Sequence, residues 1–251
     1  MNKSIAFFIQ ARTGSTRLTN KVLLPFDEET SILGILIKKL QINFSEIPLV
    51  VCTSSLTNDD AIVTFCEILN VTCFRGSESN VLERFIAAAK HFETEVVIRI
   101  CADNPFLDMG FIAELLKFYH ENPNADYWSF KNASDTPAIR THFGLFAEMV
   151  TVKALEKVSE LTNDPLYTEH VTNYIYSNDI FRSQLKTLPD FLNHRNDLRF
   201  TIDDAVDFKL LQEVYLYHKH NFSNIQKTIL WVEKNPLLLK IMVDNINKYS
   251  K

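Results

Sequence analysis

Glycine is scarce in this chain, with five glycines among 251 residues. Neither G-x-x-x-x-G-K-[ST] nor G-x-G-x-x-G occurs, which excludes the two standard glycine-rich loops that bind nucleotide phosphates. The chain also lacks an excess of basic residues, since its formal net charge is -5. This balance argues against nucleic acid or an anionic membrane as the main partner, because both need a basic surface that displaces counterions.

Paired cysteines and long apolar runs are missing as well. The four cysteines form no C-x-x-C pair, and the segment before Phe7 is too short and polar for a secretory signal. We therefore predict a cytoplasmic protein with free thiols. No apolar run reaches the roughly 18 residues that span a bilayer, so no membrane insertion is expected.

Short apolar β-type runs alternate with helix-type segments through the first half of the chain, which predicts β-α-β units and a mostly parallel sheet. The predicted strands cover 5–8, 49–53, 71–74, 95–100, 126–130 and 144–150, and the alternating stretch 198–202 is also interpreted as a strand. Predicted helices open near Ser31, Asn58 and Asn80, and others cover 152–161, 169–176 and 204–217. The tail from Ser223 is predicted to be helical, with a break at Pro236.

The absence of any Gly- or Pro-rich linker predicts a single domain over 1–251. Within it we expect a nucleotide-binding half at about 1–121 and an acceptor-side half at about 122–222. A C-terminal helical tail follows at about 223–251.

Three cations follow the first predicted strand. Arg12, Arg17 and Lys21 lie where ligands of parallel sheets gather, beyond the carboxyl ends of the strands. Gly14 permits a tight turn, and backbone amides of such a loop can bind phosphate oxygens. The predicted phosphate loop consists of Ala11, Arg12, Gly14, Ser15, Arg17 and Lys21. Charge spacing alone fits an exposed basic loop equally well.

Two carboxylates are candidates for a magnesium site. Asp103 follows the fourth strand, on the same sheet edge as the phosphate loop, where Mg²⁺ bridging phosphates needs a carboxylate. The tripeptide Asp-Asn-Pro by itself is better explained as a turn. Of the later acids, Asp204 and Asp207 are explained by helix capping, which leaves Asp203 as the better metal ligand.

The order and spacing of several short motifs resemble a known family. The matching pieces are Gln10-Ala11-Arg12 through Arg17-Leu18 and Lys21, Phe74-Arg75-Gly76-Ser77-Glu78 through Val81-Leu82-Glu83-Arg84, Arg99 with Asp103, Pro105 and Asp108, Gly144 with Glu148, Glu169-His170-Val171-Thr172, and Arg199 with Asp203. Together they resemble the bacterial cytidylyltransferase family of spore coat polysaccharide biosynthesis protein F, which is related to CMP-3-deoxy-manno-octulosonate and CMP-sialate synthetases.

This resemblance implies an α/β, Rossmann-like GT-A type nucleotidyltransferase fold, with a mostly parallel central sheet flanked by helices. It implies CTP binding, with Arg12, Arg17 and Lys21 on the triphosphate and Asp103 and Asp203 on Mg²⁺. It places Thr53 and the turn at Arg75 and Gly76 along the nucleoside. Relatives of this kind also suggest a homodimer.

The implied reaction couples CTP to an acidic sugar with release of pyrophosphate, in surface polysaccharide or glycan biosynthesis. Arg12, Lys21 and Asp103 are the expected catalytic residues. An acidic acceptor needs a cation and hydrogen-bonding groups, for which the candidates are Arg140, His142, Glu148, Glu169 and His170. A structural role explains His170 equally well.

The chain departs from the family pattern at four places. Thr19-Asn20 stands where Pro-Gly is usual, Ala102 replaces a glycine, Asp204-Ala205-Val206 replaces Thr-Pro-Glu, and Thr168 replaces an arginine. Two alternatives remain: a sugar-nucleotide-dependent glycosyltransferase, against which the absence of a D-x-D motif argues, and a catalytically silent nucleotide-binding paralogue.

Overall fold

The computed structural model describes residues 3–221 and 224–249. The strands among these residues are β1 (Ile5–Gln10), β2 (Pro25–Asp27), β3 (Thr30–Ser31), β4 (Leu49–Ser54), β5 (Thr72–Gly76), β6 (Val96–Cys101), β7 (Tyr127–Lys131), β8 (Glu148–Thr151) and β9 (Ser183–Thr187). The α-helices are α1 (Ile32–Asn43), α2 (Asp60–Ile68), α3 (Val81–His91), α4 (Met109–Glu121), α5 (Val152–Leu161), α6 (Pro165–Glu169), α7 (Asn173–Tyr176), α8 (Asp190–Asn193), α9 (Ala205–Asn221), α10 (Ile225–Glu233) and α11 (Pro236–Tyr249). Short 3-10 turns cover Thr57–Asp59 and Ala138–Arg140.

Seven strands form one sheet in the order β5-β4-β1-β6-β8-β7-β9. β8 runs antiparallel to both of its neighbours, and the other pairings are parallel. Six strands therefore point the same way, and the predicted mostly parallel sheet is confirmed. The carboxyl ends of β4, β1 and β6 lie side by side, with Gln10 in register with both Cys52 and Cys101.

Successive residues of β1 bury against opposite faces of the sheet. Phe7 and Ile9 belong to a core that α1, α4 and the C-terminal helices cover. Ala6 and Phe8 belong to a second core under α3, α5 and α7. This arrangement explains why the strand is apolar at consecutive positions, since both of its faces are covered.

Most of the predicted elements are present, and several helix starts have the expected caps. The side chain of Ser31 accepts from the Gly34 amide at the start of α1. Asn80 accepts from the amide of Glu83, three residues on, at the start of α3. α5 covers 152–161, as predicted. The predicted break at Pro236 is the start of α11, while Ser223 lies outside the described residues.

Three predicted elements differ in the structure. The predicted helix 169–176 is not continuous: it comprises the last residue of α6, a break at 170–172, and α7. The predicted strand 144–150 begins only at Glu148. The stretch 198–202 is extended but joins no strand, because the Phe200 and Ile202 amides donate to the carbonyls of His142 and Asp103.

Gly144 explains the late start of β8. Its φ is +59°, in the left-handed region that favours glycine. A Cβ at this position would also lie 2.7 Å from the Phe200 carbonyl oxygen. Gly144 thus turns the chain away from the strand direction and lets the segment 198–202 approach it closely.

A helix that crosses a bilayer needs about 20 predominantly apolar residues. No helix within residues 3–221 and 224–249 is both long enough and apolar enough to cross a bilayer.

His218 on α9 predicts an acid-sensitive stability. Its ring is buried and lies 2.7 Å from the Thr228 hydroxyl. Burial, and secondly the positive Lys39, lower the pKa of His218 from 6.5 to about 4. Because the unfolded chain takes up this proton more readily, the stabilisation is complete above pH 6.5 and is lost as the pH falls towards 4.

We expect the free energy of unfolding to fall by about 2 kcal/mol between pH 7 and pH 5 because of this group. Denaturant titrations at both pH values, with His218→Gln as the non-titrating control, would measure it. The same pH dependence in both proteins would contradict the assignment to His218.

Candidate active site

A cleft of about 290 Å³ opens at the carboxyl ends of β1 and β6. The loop after β1 forms one side, the turn after β6 forms the floor, and the end of α6 faces them. Its lining residues are Gln10, Arg12, Gly14, Ser15, Thr16, Arg17, Lys21, Val22, Cys101, Ala102, Asp103, Glu169, His170 and Asp203. Nine residues that the sequence predicted for the site line this cleft, namely Arg12, Gly14, Ser15, Arg17, Lys21, Asp103, Glu169, His170 and Asp203.

Each of the three cations in the cleft is paired with a carboxylate. Arg12 Nη2 lies 2.9 Å from Glu169 Oε1, and Arg17 Nη2 lies 2.8 Å from Asp203 Oδ1. Lys21 Nζ lies 2.8 Å from Asp103 Oδ2 and also donates to the Ile202 carbonyl at 2.6 Å. The cleft therefore contains both positive and negative side chains. When a polyanion binds here, its phosphates must replace these carboxylates as the partners of the cations.

Lys21 is the most enclosed of these cations. Its side chain is 12% exposed, against 41% for Arg12 and 48% for Arg17. A charge with little water around it interacts more strongly with its neighbours, because the local dielectric constant is lower. Lys21 is therefore the cation best placed to act on one defined ligand atom. The more exposed side chains of the two arginines can adjust to the position of a larger anion.

Asp103 and Asp203 lie on adjacent chain segments, since the Ile202 amide donates to the Asp103 carbonyl at 3.1 Å. Both carboxylates line the cleft and are partly exposed, with side-chain exposures of 32% and 24%. Within residues 3–221 and 224–249 no cluster of three or more His, Cys, Asp and Glu groups could hold a metal by itself. Two carboxylates fit Mg²⁺, which usually takes its other ligands from water and substrate phosphates.

Arg199 holds Asp203 from behind the cleft. Its buried guanidinium donates to both carboxylate oxygens of Asp207 at 2.8 Å and to Asp203 Oδ2 at 2.7 Å. Its Nη1 lies 2.6 Å from His142 Nδ1, which must accept because a guanidinium can only donate. Burial and the positive Arg199 lower the pKa of His142. These contacts fix His142 as a neutral ring and orient Asp203.

Among the predicted acceptor residues, three lie outside the cleft lining. His142 is engaged with Arg199, and Arg140 is exposed on a 3-10 turn. Glu148 is 1% exposed, where it binds Arg99 at 2.6 Å, the hydroxyl of Thr172 at 3.0 Å and the hydroxyl of Tyr127. Direct contact between Glu148 and an acceptor therefore does not fit its position, since its carboxylate faces the core.

Glu148 still connects to the cleft through its partner. Arg99 donates through Nη2 to Gln10 Oε1 at 3.0 Å, and Gln10 lines the cleft. Glu148 thus provides the counter-charge that allows Arg99 to be buried beneath the site.

Ala11 of the predicted phosphate loop and the predicted nucleoside contacts Thr53, Arg75 and Gly76 also lie outside the lining of this cleft. Ala11 and Thr53 are buried, and Arg75 is held by Asp60 and by the carbonyls of Ser54 and Leu56. Gly76 packs closely against Arg84, since a Cβ there would lie 2.9 Å from Arg84 Cγ. The role of these residues in binding the nucleotide stays a prediction.

Asp59 is a residue whose importance its sequence context did not reveal. Its place at the acidic start of α2 is explained by a favourable helix dipole interaction alone, but the carboxylate is buried and joins the loop after β1 to the end of β4. Asp59 Oδ1 accepts from the Thr13 amide at 2.7 Å and from the Thr13 hydroxyl at 2.6 Å. Oδ2 accepts from the Ser54 amide at 3.2 Å and from its hydroxyl. Burial opposes ionisation, but these bonds lower the pKa of Asp59.

We predict that Asp59→Asn weakens both the fold and the phosphate loop. An amide nitrogen would face donors at Thr13 or Ser54, so the free energy of unfolding should fall by about 2–3 kcal/mol. Asp60→Asn is the matched control, because Asp60 is exposed and forms an ion pair with the surface arginine Arg75. Its effect should stay below about 1 kcal/mol. Equal losses in denaturant unfolding of the two variants would contradict the role of Asp59.

Two departures from the family pattern have structural explanations. Asn20, at the place of the usual glycine, has a φ of +58°, and asparagine tolerates this region better than other non-glycine residues. Asp204 caps α9 by accepting from the amides of Val206 and Asp207, and it also binds the last turn of α11. Thr168 is buried and lines no part of the cleft.

The mostly parallel sheet, the cationic loop after β1 and the carboxylates of Asp103 and Asp203 together define a nucleotidyltransferase. The chain belongs to the cytidylyltransferase family, whose model matches residues 6–235.

Several individual proteins are similar to this chain in sequence or in fold. The spore coat polysaccharide biosynthesis protein SpsF of Bacillus subtilis is 32% identical over 217 residues, which cover 84% of this chain and 86% of the relative. The structure of a cytidylyltransferase from Leptospira borgpetersenii superposes with a TM-score of 0.81 at 27% identity, over 95% of this chain and 97% of that chain. The CMP:2-keto-3-deoxy-manno-octonic acid synthetase in complex with CTP shares the fold, with a TM-score of 0.64 at 13% identity over 86% and 99% of the two chains.

Proposed function

We propose that this enzyme transfers the cytidylyl group of CTP to an acidic sugar of the ulosonic or nonulosonic type and releases pyrophosphate. The observation that carries the proposal is the convergence of Arg12, Arg17 and Lys21 with Asp103 and Asp203 in one cleft. Membership in the cytidylyltransferase family supports the nucleotide. The names of SpsF and of the CMP:2-keto-3-deoxy-manno-octonic acid synthetase support an acidic sugar destined for a polysaccharide or glycan.

The charges of the cleft suit a triphosphate with Mg²⁺ better than either alone. Three cations face three carboxylates, so a triphosphate by itself would displace carboxylates and leave them uncompensated. When bound at Asp103 and Asp203, Mg²⁺ would neutralise phosphate charge and activate the oxygen of the acceptor. We therefore expect CTP to bind much more tightly with Mg²⁺ than without it.

The residues of the chain mainly orient the reactants and stabilise charge. In the proposed reaction a hydroxyl oxygen of the acceptor attacks the α-phosphorus in line, the bond between the α-phosphorus and the pyrophosphate oxygen breaks, and the hydroxyl proton passes to the solvent. Lys21, enclosed and held by Asp103 and the Ile202 carbonyl, is placed to stabilise charge that builds up at the α-phosphate. The more exposed Arg12 and Arg17 would hold the departing pyrophosphate.

The acceptor is proposed to lie between the phosphate loop and the break after α6. Glu169 and His170 line that end of the cleft, and Glu169 reaches Arg12 at 2.9 Å. When phosphate oxygens take the place of Glu169 on Arg12, the Glu169 carboxylate becomes available to accept from sugar hydroxyls. Cytoplasmic location and a homodimer stay predictions.

Pyrophosphate release tests this proposal. CTP, UTP, ATP and GTP are each compared with a panel of acidic sugars in the presence of Mg²⁺. Asp103→Asn is the site variant, and Asp135→Asn is the matched control because Asp135 is an exposed loop residue that pairs with Lys131. We expect release that needs CTP, one class of acidic sugar and Asp103.

Two results would overturn the proposal. Transfer of a sugar from a sugar nucleotide without pyrophosphate release would establish a glycosyltransferase. Failure of every acceptor, together with no binding of Mg²⁺ and CTP in a calorimetric titration, would exclude the cytidylyl transfer itself.

A further inference from the structure

The C-terminal helix α11 contacts Arg17 of the active-site cleft, although it lies beyond residues 6–235 that match the family model. Asn245 on this helix is buried, and its Nδ2 donates to Asp207 Oδ1 at 2.7 Å. Lys248 Nζ and the Tyr249 hydroxyl both donate to Asp204 Oδ2, at 2.9 and 2.7 Å. The last turns of α11 are thereby fixed to the start of α9, next to Asp203.

These contacts place the ring of Tyr249 against two arginines of the site. The ring centroid lies 4.7 Å from Arg17 Cζ and 5.3 Å from Arg199 Cζ. Both distances are within the roughly 6 Å over which a guanidinium is attracted to an aromatic face. The Lys248 ammonium also lies 4.9 Å from the centroid. The ring is therefore surrounded by positive charge that its electrons can stabilise.

The same two arginines share one carboxylate. Arg17 donates to Asp203 Oδ1 at 2.8 Å, and Arg199 donates to Asp203 Oδ2 at 2.7 Å. Arg199 has further anchors in Asp207 and His142. For Arg17 the described ion pair is with Asp203, the residue that the proposed function assigns to the metal.

We propose that Tyr249 is a positioning residue for triphosphate binding. Its ring holds the Arg17 guanidinium at the wall of the cleft when Asp203 releases Arg17 and binds its other partners. This inference rests on the proposed function. A neutral ring suits the task because it holds the guanidinium by its face and leaves the N–H groups at the edge available for phosphate oxygens. A carboxylate in the same place would compete with the phosphates for those N–H groups.

Affinity for CTP in the presence of Mg²⁺ tests this role. Tyr249→Leu removes the ring, and Tyr249→Phe keeps the ring but loses the hydroxyl bond to Asp204. We expect the calorimetric Kd and the KM for CTP to rise about tenfold in Tyr249→Leu and to change less than threefold in Tyr249→Phe. Because the contact of Tyr249 with the cleft is made to Arg17, on the triphosphate side, KM for the acceptor should stay unchanged.

A double-mutant cycle separates positioning from a general effect on folding. In an Arg17→Ala background the further change Tyr249→Leu should raise KM for CTP less than twofold, since the residue it positions is gone. Incorporation of pentafluorophenylalanine at position 249 provides a second test that keeps the shape of the ring. Its reversed quadrupole should raise Kd for CTP at least fivefold relative to Tyr249→Phe, with the folded structure retained.

The outcomes distinguish this inference from the proposed function. If the unaltered protein binds no CTP with Mg²⁺, the proposed function fails and this inference falls with it. If the unaltered protein binds CTP and the folded Tyr249→Leu or pentafluorophenylalanine variant binds it equally well, Tyr249 does not position Arg17. A tenfold effect that persists in the Arg17→Ala background would also overturn the inference.

Discussion

Replacement of Lys21 by alanine is expected to lower kcat about 10²–10³-fold, the usual loss when one preorganised donor is removed from a charged transition state. Lys21 is the most enclosed cation of the cleft and is held 2.8 Å from Asp103 and 2.6 Å from the Ile202 carbonyl. Water that fills the space left by the side chain carries no net charge and has no fixed orientation. Initial rates of pyrophosphate release at saturating CTP measure the effect.

Lys38→Ala is the matched control for this experiment. Lys38 is an exposed lysine on α1 and does not line the cleft, so kcat should change less than twofold. Thermal unfolding of both variants checks that the loss is not one of folding. Unchanged turnover in Lys21→Ala would overturn the proposed mechanism, because no other residue there combines that charge with that burial.

Replacement of Arg99 by methionine is expected to cause the largest loss of stability, about 3–5 kcal/mol in the free energy of unfolding. Arg99 and Glu148 are 6% and 1% exposed and lie 2.6 Å apart in the middle of the sheet. Removal of the guanidinium would leave the carboxylate buried without a counter-charge. Gln10 would also lose its partner at the floor of the cleft.

The double variant Arg99→Met with Glu148→Gln should recover part of this stability, since it removes both charges together. Arg182→Met is the surface control, because Arg182 is 70% exposed and pairs with Asp126 at 3.4 Å. Its cost should stay within about 1 kcal/mol. Denaturant unfolding of the three variants measures these differences, and a double variant less stable than Arg99→Met would contradict the argument.

The position of the site could be predicted because it depends on local order along the chain. An apolar strand buried on both faces must lie inside a parallel sheet, and the residues after it then lie at the ligand-binding edge. The loop with Arg12, Arg17 and Lys21 follows such a strand, and Asp103 follows β6 at the same edge. All four residues line the cleft.

The environment of the charged residues could not be predicted in the same way. Glu148 was expected to face an acceptor, because it is a polar residue of the acceptor-side half and an acidic sugar needs hydrogen-bonding groups. It is buried because Arg99, on the neighbouring strand β6, occurs in register with it. That register follows from the packing of the whole sheet, and no local pattern around either residue encodes it.

Segment 198–202 shows the same limit. Its alternating pattern predicted a strand, yet its amides bind the carbonyls of His142 and Asp103 outside the sheet. The alternation correctly indicated an extended segment whose apolar side chains share one face. The partner that accepts its hydrogen bonds depends on Gly144, which lets the chain pass close to Phe200.

The sequence by itself determined the class of fold, the sheet edge where ligands bind and most of the residues that gather there. Only the tertiary structure decided which charge faces which. The pairs Lys21 with Asp103, Arg12 with Glu169 and Arg17 with Asp203 join residues 82, 157 and 186 positions apart, and Tyr249 reaches Arg17 from the last helix. Hydrogen bonds and ion pairs act over about 3 Å, so they depend on the packing of distant segments, whereas strand and helix preferences depend on neighbours in the chain.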